Sequence, residues 1–141
     1  MAVRIAGALV LVVVVAVFGA GCGGGKLGAK ALQQESASLR SLAAEGALLA
    51  EDAASGKTTA IYTREHAADL VQAASQAEAS LKTAKTAPLL ERKLRRLVVI
   101  AAQVRGDLER LGGASRDEER ALGRGLQAAA DESQRIGEGL K

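Results

Sequence analysis

His66 is the one histidine of this 141-residue chain, and two groups able to share a proton with it stand nearby in the sequence. Tyr62 precedes it by four residues and Asp69 follows it by three, so a helix would carry all three on one face. Such a trio could relay a proton or supply half of a metal site. The plainer alternative is a local Tyr62–His66–Asp69 hydrogen-bond cluster beside a packing seam, and the rest of the chain favours it. Zinc sites need several His or Cys ligands, di-iron bundles need two Glu-x-x-His pairs, copper handling needs methionine, and covalent haem needs Cys-x-x-Cys-His. One histidine, one cysteine and Met1 as sole methionine meet none of these demands. No metal and no other cofactor is expected. No Gly-x-Ser-x-Gly elbow occurs, and the paired carboxylates Glu51-Asp52 and Glu118-Glu119 fall near expected helix ends, where acids cap and solubilise. Gly23-Gly24-Gly25 lacks the spacing and the Lys-Ser/Thr of a phosphate loop. No catalytic residue is assigned, and a non-catalytic function is expected.

The remaining reactive side chain is Cys22, the only thiol. Arg4 precedes an apolar run from Ile5 to Phe18, in which Leu11 to Val15 are all aliphatic, and Gly19-Ala20-Gly21 follow. A positive residue, an apolar core and small residues before a cut site make a secretory signal. A single cysteine also argues against a disulfide-stapled domain. Ala20-Gly21-Cys22 resembles the lipobox of bacterial lipoproteins, with Gly19 standing where that family usually has an aliphatic residue. The resemblance covers the first 22 residues. It implies that residues 1–21 are a signal peptide, that the Cys22 sulfur receives a diacylglycerol with palmitate-type chains, and that Cys22 then becomes the new N-terminus. The protein would be extracytoplasmic and anchored to the bacterial cell membrane. The alternative is an uncleaved anchor, since residues 5–21 offer about 17 apolar or small positions, the short edge of a span. The remainder is similar, in general style only, to small helical envelope lipoproteins of high-GC bacteria, and that likeness assigns no functional residue.

Residues 22–26 read as the lipidated cysteine and a short glycine tether, and residues 27–141 as one domain; the roughly 120 residues after the signal are enough for a core. Strong helix formers dominate it. Four segments carry apolar stripes that alternate spacings of four and three. The first, about Leu27 to Ala54, places Leu32, Leu39, Leu42, Gly46, Leu49 and Ala53 on its stripe, and Ser55-Gly56 stops it. The second, about Thr59 to Lys85, carries Thr63, Ala67, Leu70, Ala74, Ala77, Leu81 and Ala84, with Thr58 or Thr63 as its cap. The third starts near Pro88 and carries Leu90, Leu94, Leu97, Ala101, Val104, Leu108 and Leu111. Ser115 caps the fourth, which carries Leu122, Leu126, Ala129, Ser133, Ile136 and Leu140. Short loops force antiparallel neighbours, so the expected fold is all-α: an antiparallel up-down-up-down four-helix bundle after an N-terminal hydrophobic signal segment. Small seams on helices two and four are expected to face larger seams on one and three. A long coiled-coil dimer is the alternative, against which the glycine breaks speak.

An even number of helices returns the chain to the end where it began. Lys26, Lys30, Lys82, Lys85, Arg92, Lys93, Arg95 and Arg96 should gather at the tethered end, with Lys141, while acids dominate the far end about 35–40 Å away. The small net charge of +3 would then hide a basic lower end and an acidic tip. We expect the basic end to contact anionic lipid headgroups, beside the diacylglycerol on Cys22. An ordinary solvated helix face is the alternative. Arg92-Lys93-Leu94-Arg95-Arg96 is basic, but Tyr62 is the one aromatic residue after residue 21, so nucleic acid is not an expected partner. The expected function is a lipid-anchored cell-envelope interaction or scaffold module whose partner, an envelope protein or polymer, meets the distal tip around Gly56 and Gly112-Gly113. An extracytoplasmic small-ligand-binding or sensory bundle is the second reading, and a pocket near Tyr62 and His66 would favour it. The sequence does not set the oligomeric state.

Overall fold

The computed structural model describes residues 26–141. Four helices follow one another: α1 (Ala29–Ala54), α2 (Ala60–Thr83), α3 (Glu91–Leu111) and α4 (Arg116–Glu138). Their ends follow from local chemistry. At the end of α1 the Gly56 amide bonds the Ala53 carbonyl at 3.0 Å and the Lys57 amide bonds that of Asp52 at 2.8 Å. That pair of bonds needs a left-handed residue between them, and Gly56 supplies it at φ 71°. The cap of α2 is Thr59, whose hydroxyl accepts the Tyr62 amide at 3.2 Å. It is neither Thr58 nor Thr63: the Thr63 hydroxyl donates to the Thr59 carbonyl at 3.0 Å and lies 3.0 Å from the hydroxyl of Thr58. Pro88 opens a short 3-10 turn, Pro88–Leu90, that leads into α3. Before α4, the Glu118 carboxylate accepts both the amide and the hydroxyl of Ser115, each at 2.8 Å.

The helices run up, down, up and down, and α4 closes the ring against α1. At about 1.5 Å per residue they span roughly 30–40 Å. Leu32, Leu39, Leu81, Leu97, Ile100, Val104, Leu108 and Leu126 are fully enclosed between them. Each buried leucine of this kind contributes about 1.5–3 kcal/mol by leaving water.

The sizes are distributed differently from the expected alternation. The most extensive pairing is α1 with α4, and small residues line both sides of it: Ser36, Ala43, Gly46, Ala47 and Ala50 on α1, and Gly123, Ala129, Ala130, Ser133 and Gly137 on α4. A methyl group built on Gly46 would stand 2.7 Å from Leu108 Cδ2 and 3.2 Å from Leu126 Cδ1. One on Gly123 would stand 3.3 Å from Ala50 Cβ. The two backbones thus approach closely where Gly123 meets Ala50, while Gly46 admits the large side chains of Leu126 from α4 and Leu108 from α3. The large residues concentrate on α3. The buried face of α1 is also wider than a narrow seam, because α2, α3 and α4 all touch it. Leu42 is consequently only half-buried, while Ala43 and Ala47 are enclosed.

Near the lower end Ser36 Oγ donates to the Ser133 carbonyl at 2.8 Å, in the space left by Gly137. A methyl group on Gly137 would collide with that hydroxyl. We therefore expect Gly137→Ala to destabilise the native chain by about 1 kcal/mol, the loss of a buried hydrogen bond outweighing the gain in helix propensity. In a Ser36→Ala background, where the collision is gone, the same change should be neutral or stabilising. Urea unfolding of the four chains gives the coupling; two additive single effects would contradict the close contact.

Candidate functional site

The bundle brings the sequence-predicted cations to one end and fixes them there with the backbone. Leu27, the second described residue, donates its amide to the Lys85 carbonyl at 2.7 Å, and its own carbonyl accepts the Thr86 hydroxyl at 2.8 Å. These bonds join the start of the domain to the turn between α2 and α3. Lys93 reaches the Gly139 carbonyl, so the end of α4 lies at the same place. Lys26, Lys30, Lys82, Lys85, Arg92, Lys93, Arg95 and Arg96 accordingly share the lower third of the bundle. They are not equally free. Lys82 pairs with Glu78, Arg95 with Glu91 at 3.3 Å, and Arg96 with Glu132 at 2.5 Å. Lys93 is held by the carbonyl of Gly139. Among the described residues, Lys26, Lys30, Lys85 and Arg92 have no carboxylate partner. The hydrogen bond to Glu132 holds the Arg96 guanidinium above its ordinary range.

The cluster at His66 is built otherwise than the spacing suggests. Tyr62 and His66 stack, with ring centroids 5.7 Å apart and planes 14° from parallel. The His66 Nε2 partner is Glu45 of α1, at 3.0 Å. Among the described residues no hydrogen bond joins His66 to Asp69. Asp69 shares that helix face, but the antiparallel packing brings Glu45 across from α1 and the imidazole bonds to it instead. Glu45, His66 and Tyr62 border a solvent-open groove of about 530 Å³, with Leu48, Asp52, Lys57 and Thr59. It runs along the junction of α1 and α2, opens to solvent and has the buried Leu49 in its wall. Around it Leu48, Ile61 and Tyr62 are exposed.

One buried charge was not anticipated. Ala77, expected on the seam, is half-buried, and Glu78 occupies the enclosed position beside it. Its carboxylate receives Lys82 from its own helix and Arg105 Nε from α3 at 2.7 Å. Arg105 also binds Glu109 at 2.7 Å. Hydrogen bonds from Lys82 and then Arg105 hold the Glu78 carboxyl below its usual range, and burial opposes them. The Glu78–Lys82 spacing is visible in the sequence. The partnership with Arg105 depends on the register of α2 against α3.

The distal end carries the acids. Glu45, Glu51 and Asp52 end α1, Glu65 and Asp69 begin α2, Asp107 and Glu109 end α3, and Asp117, Glu118 and Glu119 begin α4. Lys57 pairs with Asp52 at 3.3 Å and Arg120 with Asp117 at 3.0 Å, so part of this charge is answered locally. Partial burial pushes Asp107 up, with Arg110 opposing it; Ser115 donors pull Glu118 down.

Among the described residues no group of three His, Cys, Asp or Glu side chains could hold a metal ion, and no helix is long and apolar enough to cross a membrane. Residues 1–21 and Cys22, to which the signal and lipidation expectations apply, lie outside the described residues. Compared with known proteins, the chain matches no family model, no curated protein and no solved structure.

The folded Glu78 carboxyl titrates below its unfolded value of about 4.3, so its contribution is present above that value and lost as pH falls through the folded one. Glu78→Gln should cost about 2 kcal/mol near neutral pH, typical of hydrogen bonds to a charged group. The difference from the native chain should shrink below about pH 4. Asp107 and Glu35, both raised by burial, act in the opposite sense and gain on protonation. Chemical denaturation at several pH values checks this; a deficit of the Glu78→Gln chain that persists unchanged into acid would contradict the assigned charge.

Proposed function

We propose that the protein is an extracytoplasmic lipoprotein, held to the cell membrane through a diacylglycerol on Cys22, which acts by contact and not by catalysis. The observation that carries this reading is the coincidence of three features at one end. The domain begins there, four residues beyond Cys22. The free cations Lys26, Lys30, Lys85 and Arg92 gather there. The Leu27–Lys85 and Leu27–Thr86 bonds make that start and that charged turn a single rigid piece. A basic residue near an anionic surface gains about 1 kcal/mol, so four free ones supply about 4 kcal/mol, a useful second signal beside a lipid anchor.

The rest of the bundle then stands away from the bilayer and presents its acidic end. Leu48, Ile61 and Tyr62, rimmed by Glu45, Glu51 and Asp52, offer apolar contact framed by negative charge. A partner there, envelope protein or polymer, would carry the opposite charge. The groove beside Tyr62 and His66 is open, and the interior is filled by leucine and valine; both favour contact over enclosure of a small ligand.

The segment from Lys26 to Lys141 should bind vesicles of anionic lipid and be released by salt, since exposed charges are screened over about 10 Å at 0.1 M. Neutralising two cations, Lys85→Gln with Arg92→Gln, should weaken binding about 30-fold. Vesicle sedimentation reads both. Equal binding to neutral vesicles would remove the electrostatic seat from the account.

A further inference from the structure

Leu89 is the most exposed large apolar side chain among the described residues, at 92% of its full accessibility. Single exposed leucines are ordinary on protein surfaces. The position of this one is not. It is the middle residue of the 3-10 turn at the tip between α2 and α3, on the end that carries the free cations. The turn is rigid: Pro88 fixes its first residue, the Leu90 amide bonds the Ala87 carbonyl at 2.9 Å, and Leu90 packs half-buried against the core. Leu89 is therefore held outward. From Ala79 to Leu90 the chain contains no acid, and Glu91 just beyond is answered by Arg95. Lys85 and Arg92 flank the turn without carboxylate partners among the described residues.

We propose that Leu89, on this rigid turn, enters the interface of an anionic bilayer and gives the anchored bundle a second membrane contact. The proposal rests on Cys22 being held at the membrane. Four residue steps separate Cys22 from Lys26, at most about 14 Å of extended chain. Leu27 is bonded to Lys85 and Thr86, so a Cys22 fixed in the bilayer keeps the tip within headgroup reach. A lipid on Cys22 alone holds the protein at one point and does not set the tilt of the bundle. An apolar wedge ringed by cations sets its tilt, combining burial of apolar surface with headgroup attraction. Of the other exposed large apolar residues, Leu48, Ile61 and Tyr62 sit among Glu45, Asp52 and Glu65 and are unsuited to an anionic surface, and Val99 lies on the side of α3, two to three turns beyond the tip.

The chain has no tryptophan, so Leu89→Trp introduces a single indole at an exposed position. The full chain is incorporated into vesicles whose acyl chains carry bromine, with Ile61→Trp at the opposite end as comparison. The indole of the Leu89→Trp chain should emit at shorter wavelength and lose at least about half its intensity to the bromolipid, and that of the Ile61→Trp chain should do neither. Identical behaviour of the two variants would overturn the proposal. The electrostatic seat is read apart from this, by repeating the measurement in neutral lipid. Quenching of the Leu89→Trp chain confined to anionic vesicles supports wedge and seat together. Equal quenching in both lipids supports the wedge and removes the seat. Quenching in neither overturns the wedge, whatever the salt dependence of vesicle binding proves to be.

Discussion

The close approach of α1 and α4 is the contact from which the rest of the architecture follows. Helices pack at their shortest distance where side chains are small, and this pair places small residues at several of its contacts. Ser36 lies over Gly137, Ala50 over Gly123, and Gly46 makes room for Leu108 and Leu126. Closing α4 onto α1 turns four consecutive helices into a ring. It brings the end of α4 back beside the start of α1, and Leu140 and Leu27 both join the core. The large side chains of α3 then fill the space that the tight pair leaves on its open side.

That closure converts a nearly balanced composition into a polar molecule. Charges dispersed along the sequence are sorted by which end of which helix they occupy. Asp117, Glu118 and Glu119 in the first turn of α4 suit the positive end of that helix dipole, at the distal end of the bundle. Cations around the turn between α2 and α3 meet the end at which the domain begins. In the middle, Glu78 with Lys82 and Arg105 fixes α2 against α3, and its cost of burial is offset by two cationic donors. The functional reading rests on this sorting: one end suited to an anionic surface, the other to a basic partner.

The number of helices, their limits within a few residues and the antiparallel bundle were legible in the sequence, because the apolar spacing, Gly56, Pro88, Gly112 and Ser115 each act through their immediate neighbours. What was not legible depends on register between helices. Apolar periodicity marks Ala77 but not Glu78, since only the offset of α3 brings Arg105 to that carboxylate. Spacing along α2 pointed His66 to Asp69, while packing joined it to Glu45. Residue types alone suggested that small faces oppose large ones, and did not reveal that two small faces meet in α1 and α4. The basic end was predicted from topology alone. Which of its cations are free required the positions of Glu91, Glu132 and Gly139.

The central claim is that the end of the bundle nearest Cys22 is the end at the membrane, and it stands on the chemistry of that one cysteine. Intact-mass analysis of the protein from membranes of its native host tests it most directly. The account predicts a chain that begins at Cys22 and carries the added mass of a diacylglycerol. A chain still bearing residues 1–21 with an unmodified thiol would contradict it.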